Sequence, residues 1–127
     1  MIVAGVGFRR GASADEIEKV VRLALGVFQL AAERLEVLAT ESEKATEPAF
    51  AEVAQRLSAK MTACTVEELD RVAGQVLTPS KLVLDSKGVP SIAEASALVV
   101  AGRNARLLGT RVATAQATCA IAIGDGR

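Results

Sequence analysis

The stretch Ile2-Val3-Ala4-Gly5-Val6-Gly7-Phe8-Arg9-Arg10-Gly11-Ala12-Ser13 decides the fold class. Its first six residues are apolar and bounded by glycine, the pattern of a short strand buried on both faces. Ser13, with Glu16 three residues later, matches a helix-opening capping box. Ile17, Val20, Val21, Ala24, Leu25 and Phe28 then recur at helical spacing as one apolar stripe. A buried strand that feeds an amphipathic helix is the opening unit of an α/β protein.

Working outward, Leu35 to Thr40 reads as a second strand, and the polar run 41–47 as a loop. Pro48 sits where the first turn of a helix tolerates it, and Phe50, Val53, Ala54 and Leu57 give that helix its apolar face. Lys60 to Cys64 reads as a third strand. Thr65 with Glu68 repeats the capping-box spacing, and Val66, Leu69 and Val72 pack the short helix behind it. Thr78-Pro79-Ser80 and Lys87-Gly88-Val89-Pro90 are breaker clusters around Leu82-Val83-Leu84, which suits a short extended piece or a turn. Ser91 with Glu94 makes a third such pair, opening a helix that runs to about Ala101 before Gly102. Ala105 to Thr110 and Ala117 to Ile123 read as two closing strands joined as a hairpin. Strands alternate with helices until those last two, which adjoin directly. The expected architecture is therefore a three-layer α/β/α sandwich with a mixed sheet of about five strands. With 127 residues, no internal repeat and no linker, residues 1–127 are expected to form one domain.

Composition excludes several chemistries. The chain has no His, Trp or Tyr and only three Phe. A Ser-His-Asp triad, a His-ligated zinc and an imidazole ligand to a tetrapyrrole metal are impossible, and base stacking on an aromatic platform has almost nothing to work with. Fifteen basic residues balance fifteen acidic ones, which argues against a nucleic-acid partner. No stretch approaches the roughly 20 apolar residues of a membrane span, and the N-terminal segment lacks the basic and apolar regions of a signal peptide. Cys64 and Cys119, far apart and in apolar settings, read as buried free thiols in a reducing, cytoplasmic compartment. No metal and no cofactor are expected. The zero net charge conceals an asymmetry: residues 1–73 carry a net −3 and residues 74–127 a net +3. This is either surface scatter or a cationic rim for an anionic ligand, built by Arg103, Arg106 and Arg111 together with Arg9 and Arg10.

Four constellations could carry chemistry. In the Gly5–Ser13 turn, Gly5, Gly7 and Gly11 would let a ligand approach the backbone. Arg9 and Arg10 could clamp carboxylates or phosphates, and the turn ending at Ser13 points N–H groups at an anion. The same residues also suit a tight strand-to-helix turn with solvated arginines. The G-x-G-x-x-x-G spacing is one residue too long for the dinucleotide fingerprint, and no P-loop lysine is present. Lys44 and Glu47, before Pro48, lie where a strand's carboxyl end places ligands. They could bind a carboxylate or serve as acid and base, or simply form a charged loop. In Gly88-Val89-Pro90-Ser91-Ile92-Ala93-Glu94, the polar Ser91 and Glu94 could line a site, but a helix cap accounts for the same pair. Leu107 to Arg111 and Ala117 to Ala122 read as core strands with one exposed cation, Arg111.

Taken in this order, the motifs resemble the CobE/CbiG C-terminal domain family of cobalamin (vitamin B12) biosynthesis. The resemblance runs from Ile2 to about Ile123. It rests on Gly5-x-Gly7-x-Arg9-Arg10-Gly11, Lys44 with Glu47-Pro48, Gly88 through Glu94, and Thr118-x-Ala120-x-Ala122, which is similar to the family's T-x-A-x-A strand. Where the family carries a Pro-Lys pair after its penultimate strand, this chain has Thr110 and Arg111. Arginine keeps the charge and can grip a carboxylate with two hydrogen bonds, but it cannot become a neutral amine near neutral pH. The resemblance implies a precorrin or corrinoid intermediate as ligand, bound by a carrier or accessory protein. Gly5, Gly7, Arg9, Arg10, Gly11, Ser13, Lys44, Glu47, Gly88, Pro90, Ser91, Glu94, Arg111 and Thr118 would line its site. Another enzyme of the pathway is the further partner it implies. Full-length relatives open a precorrin ring lactone. If this chain does so, Lys44 would be the acid or electrophile and Glu47 the base that activates water.

Overall fold

A computed structural model of the chain describes residues 1–77 and 91–127. The elements are β1 (Ile2–Phe8), α1 (Ala14–Val27), β2 (Val37–Glu41), α2 (Pro48–Arg56), β3 (Lys60–Cys64), α3 (Val66–Arg71), α4 (Ile92–Ala101), β4 (Arg106–Leu107), β5 (Val112–Ala113) and β6 (Ala117–Ile123). They form one mixed sheet of six strands in the order β3-β2-β1-β6-β4, with β5 also paired to β6. β1 runs parallel to β2, and β2 to β3. β6 lies antiparallel to β1, with Ile2 opposite Ile123 and Phe8 opposite Ala117.

The alternation of side chains along β1 builds two cores. Ile2, Ala4, Val6 and Phe8 join Leu38, Cys119 and Ile121 beneath α1 and α2, where Ile17, Val20, Val21, Phe50 and Val53 are buried. Val3, with Val37, Ala39 and Ala122, packs on the opposite face against Ala95, Ala97, Val100 and Ala101 of α4 and Leu69 of α3. Helices on both faces make the three layers. Arg56 of α2 ties the first helical layer together at its surface, pairing with Asp15 and Glu18 of α1 and with Glu52 one turn earlier.

The expected elements are present, with informative differences. The predicted second strand shifts to Val37–Glu41, so Glu41 is the buried end of a strand and not the first residue of a loop. The loop that follows contains a 3₁₀ turn over Lys44–Thr46. The predicted strand from Ala105 to Thr110 is only the two-residue β4. A second two-residue strand, β5, follows it, and both lean antiparallel on β6, which gives six strands among the described residues where about five were expected. Val66 is exposed, and the burial of α3 rests on Leu69. The Leu82-Val83-Leu84 piece and both breaker clusters up to Pro90 lie outside the described residues. Both cysteines are free and buried, as expected. Among the described residues, no helix is long and apolar enough to cross a membrane.

Candidate functional site

The carboxyl ends of β1 and β2 and the amino ends of α1 and α4 converge at one end of the sheet, the place where open α/β sheets bind ligands. Two groups of the predicted site residues assemble there.

The first group is Gly11, Lys44 and Glu47. Gly11 has φ +84°, which glycine adopts without strain, and this opens the turn after β1. Its N–H donates to Glu47 Oε1 at 3.1 Å. Glu47 Oε2 lies 3.7 Å from Lys44 Nζ, and about a fifth of each side chain is exposed. Lys44 Nζ sits 5.5 Å from the centroid of the Phe8 ring, which in turn stacks on Phe50 at 6.4 Å. A cation over an aromatic face is held by the ring quadrupole, so Phe8 positions the ammonium. The backbone of Lys44 is fixed as well, because its N–H donates to Glu41 Oε1 at 3.1 Å.

The second group is Gly5, Gly7, Thr118, Ser91, Glu94 and Arg111. A Cβ on Gly5 would overlap the carbonyl oxygen of Ala93 and come within 2.6 Å of Ala97 N and Ser96 Oγ. Gly5 is therefore the seat of α4, and the backbone it admits is that of a helix. A Cβ on Gly7 would meet Thr118 Oγ1 at 2.9 Å, with Ile92 and Ala93 of α4 nearby. Thr118 Oγ1 donates to the Gly7 carbonyl at 3.4 Å, and Thr40 Oγ1 donates to the Val6 carbonyl at 2.7 Å. Ser91 caps α4 by accepting the Glu94 N–H at 3.2 Å. The predicted reciprocal half of that capping box does not form. Glu94 is fully buried, and its carboxylate instead accepts N–H groups from Leu77 at 2.8 Å and Arg111 at 2.9 Å. Each donor lies 17 residues away in sequence, so the carboxylate joins three segments of chain.

The N–H groups of the Gly5–Ser13 turn are largely engaged within the protein. Arg9 N–H donates to the Gln116 carbonyl and Ala12 N–H to the Arg9 carbonyl. Gly11 N–H is held by Glu47. Ser13 N–H donates to Glu16 Oε1, and Ser13 Oγ accepts the Glu16 N–H, which completes the predicted box. Ser13 is thus a helix cap. The N–H groups of Arg9, Gly11, Ala12 and Ser13 become ligand donors only where an internal acceptor gives way. Arg9 and Arg10 are exposed in that turn, and Arg111 is half-buried. Gly88 and Pro90 lie outside the described residues. The residues that sequence reasoning missed are Phe8, Thr40, Glu41 and Leu77. Only Glu41, three residues before Lys44, left a local trace.

At the carboxyl end of β3, opposite Glu41, burial pushes the pKa of the Cys64 thiol up to about 11, against a smaller opposing effect of the nearby Arg127. Burial raises that of Cys119 further still. Both are therefore inert thiols near neutral pH.

The sequence matches the family model described as the cobalamin synthesis G C-terminus over residues 2–122. It is 31% identical over 121 residues to Protein CobE from Sinorhizobium sp., a match spanning 95% of this chain and 79% of that one. The crystal structure of a CobE described as a protein of the cobalamin biosynthetic pathway superposes with a TM-score of 0.93 at 30% identity, covering all of this chain and 92% of the other. The cobalamin biosynthesis protein chiG from Agrobacterium tumefaciens is 38% identical, with a TM-score of 0.73 over 98% of this chain and 99% of its own. A cobalamin biosynthesis protein G homolog from Sulfolobus solfataricus gives 0.75 at 25% identity over 98% of this chain and 37% of its own. Fold, motifs and relatives agree: the chain belongs to the cobalamin synthesis G C-terminus family and is a cobalamin biosynthesis protein of the CobE/CbiG kind.

Proposed function

We propose that the chain binds a precorrin or related corrinoid intermediate and holds it as a carrier or accessory factor for another enzyme of the pathway. The observation that carries this reading is the charged cluster at the carboxyl ends of β1 and β2. Lys44 is ion-paired to Glu47, and Glu47 is bonded to the turn that also bears Arg9 and Arg10. Precorrins are flat macrocycles with acetate and propionate arms, and a group of cations at the carboxyl end of the sheet suits such a ligand. Arg111, with its backbone held by Glu94, extends the cationic rim. A reducing cytoplasmic setting accords with two free buried thiols. The reading needs no metal or cofactor on the protein.

The proximity of Lys44 and Glu47 also favours a second reading, hydrolysis of a precorrin ring lactone. Lys44 would polarise the lactone carbonyl and Glu47 would take a proton from water. Mixing the purified protein with a panel of precorrins and corrinic acids, while following visible spectrum and pigment mass together, separates the two. A retained pigment of unchanged mass supports the carrier. A changed mass supports the hydrolase, and Glu47→Gln should then stop turnover without loss of binding. Neither retention nor change would reduce the chain to a docking module. In the carrier reading, Arg9→Ala or Arg10→Ala weakens binding by roughly 1.5–3 kcal/mol for each charged hydrogen bond lost.

A further inference from the structure

Glu47 occupies the very donors that a ligand carboxylate would want. Its two oxygens face the Gly11 N–H at 3.1 Å and Lys44 Nζ at 3.7 Å. Both partners are held independently of it. Gly11 is set by its positive-φ turn, and Lys44 by the Phe8 ring and by the bond from its own N–H to Glu41. The receptor would thus keep its shape if the Glu47 side chain swung out, and with about a fifth of its surface exposed that side chain has solvent to swing into.

We infer that Glu47 is a specificity-determining residue, an internal carboxylate that a ligand's carboxylate must displace from Gly11 and Lys44. This deepens the proposed binding of polycarboxylates and rests on that reading for the identity of the natural ligand. A tethered carboxylate competes at an effective concentration on the order of millimolar or above, which a single free carboxylate must exceed before it displaces Glu47. A macrocycle anchored elsewhere, on Arg9 and Arg10 in the adjoining turn, brings its own carboxylate at a comparable effective concentration and can exchange. Glu47 therefore rejects isolated carboxylates and admits multidentate ones, the combination of attraction and exclusion from which specificity arises.

The test compares acetate with uroporphyrin, a macrocycle bearing acetate and propionate arms, on the wild-type protein and on Glu47→Gln. Acetate is followed by the Gly11 amide resonance and uroporphyrin by its absorbance. Removing the competing charge should tighten acetate binding by about 10–100-fold, the range for one charge-assisted hydrogen bond that no longer competes. Uroporphyrin should gain less, so the preference for it falls. Acetate affinity that is unchanged or weaker in Glu47→Gln overturns the inference. If wild type binds no uroporphyrin yet Glu47→Gln gains acetate, the exclusion device stands and the polycarboxylate reading fails. If uroporphyrin binds wild type and Glu47→Gln gains no acetate, the reverse holds. Should Glu47→Gln not fold, the wild-type protein decides alone. Bound uroporphyrin must shift the Gly11 amide resonance as its partner is exchanged, and an unmoved resonance in the complex overturns the inference.

Discussion

The two faces of β1 meet their helices in different ways. On the even-numbered face, Val6 and Phe8 interlock with Ile17, Val20 and Phe50, so the spacing between sheet and helices is set by large side chains. On the odd-numbered face, Gly5 admits the backbone of α4 itself, and the alanines at 93, 95, 97 and 101 keep that helix close. The same asymmetry reaches the candidate site. Lys44 and Glu47, on the side of α1 and α2, are partly exposed and paired through side chains. Glu94, on the side of α4, is fully buried and bonded to backbone. The difference teaches that one half of the site is rigid framework and the other half adjustable chemistry. Substitutions in the first should act on stability, and substitutions in the second on ligand affinity.

The sharpest attempt to break this division is Gly5→Ala. The new methyl meets a backbone carbonyl and a backbone nitrogen, which no rotamer change relieves, so the loss should reach or exceed the top of the roughly 1–3 kcal/mol range for overpacking. Thermal and urea unfolding measure it, and near-wild-type stability would mean that α4 is free to lift. Glu94→Gln comes next. The amide keeps one acceptor but turns an NH₂ toward the Leu77 or Arg111 N–H, so one of these part-buried bonds is lost, at a cost of about 1–3 kcal/mol. The amide proton of Leu77 or Arg111 should lose protection in hydrogen exchange, while that of Gly11 keeps its rate. A loss at Gly11 as well would show the two halves to be one unit.

On the α1 side the helix cap belongs to the framework as well: Ser13→Ala removes one half of the capping box and should cost about 1 kcal/mol by urea unfolding. The smallest effect is that of pH. Hydrogen bonds from Arg22 and Arg56 hold the Glu18 carboxyl below its usual value of 4.5. The Thr65 backbone N–H, with Arg127, does the same for Glu68. A carboxyl depressed in the folded state contributes stability that is complete above its unfolded value and is lost as pH falls through the folded one. Unfolding followed from pH 6 downward should therefore show a shallow decline that begins near 4.5, and Arg56→Ala should flatten part of it. Both groups are largely solvated, so screening by salt should shrink the decline further.

Local patterns made much of the framework legible. Ser13 with Glu16 and Thr65 with Glu68 are contacts across three residues, and the sequence spacing is the geometry. The buried stripe of α1 and the Pro48 start of α2 follow equally from helical periodicity and from the proline ring. The closing strands were less legible. A two-residue strand carries no alternation, and β4 and β5 exist because the long β6 offers each a place to pair. Glu94 shows the limit most clearly. Its spacing from Ser91 fits a capping box, yet two backbone donors from elsewhere in the fold take its carboxylate.

The sequence by itself determined the strand–helix alternation, the two-sided burial of β1, the helix caps and the family, because each depends on residues close together in the chain or on motifs in a given order. Only the tertiary structure decided that Gly5 seats a helix, that Glu94 joins three segments, and that Glu47 already holds the donors of Gly11 and Lys44. Each of those depends on which backbone group arrives from a distant part of the chain. A buried or half-buried polar atom takes the partner that packing delivers, whatever partner its neighbours in sequence could have offered.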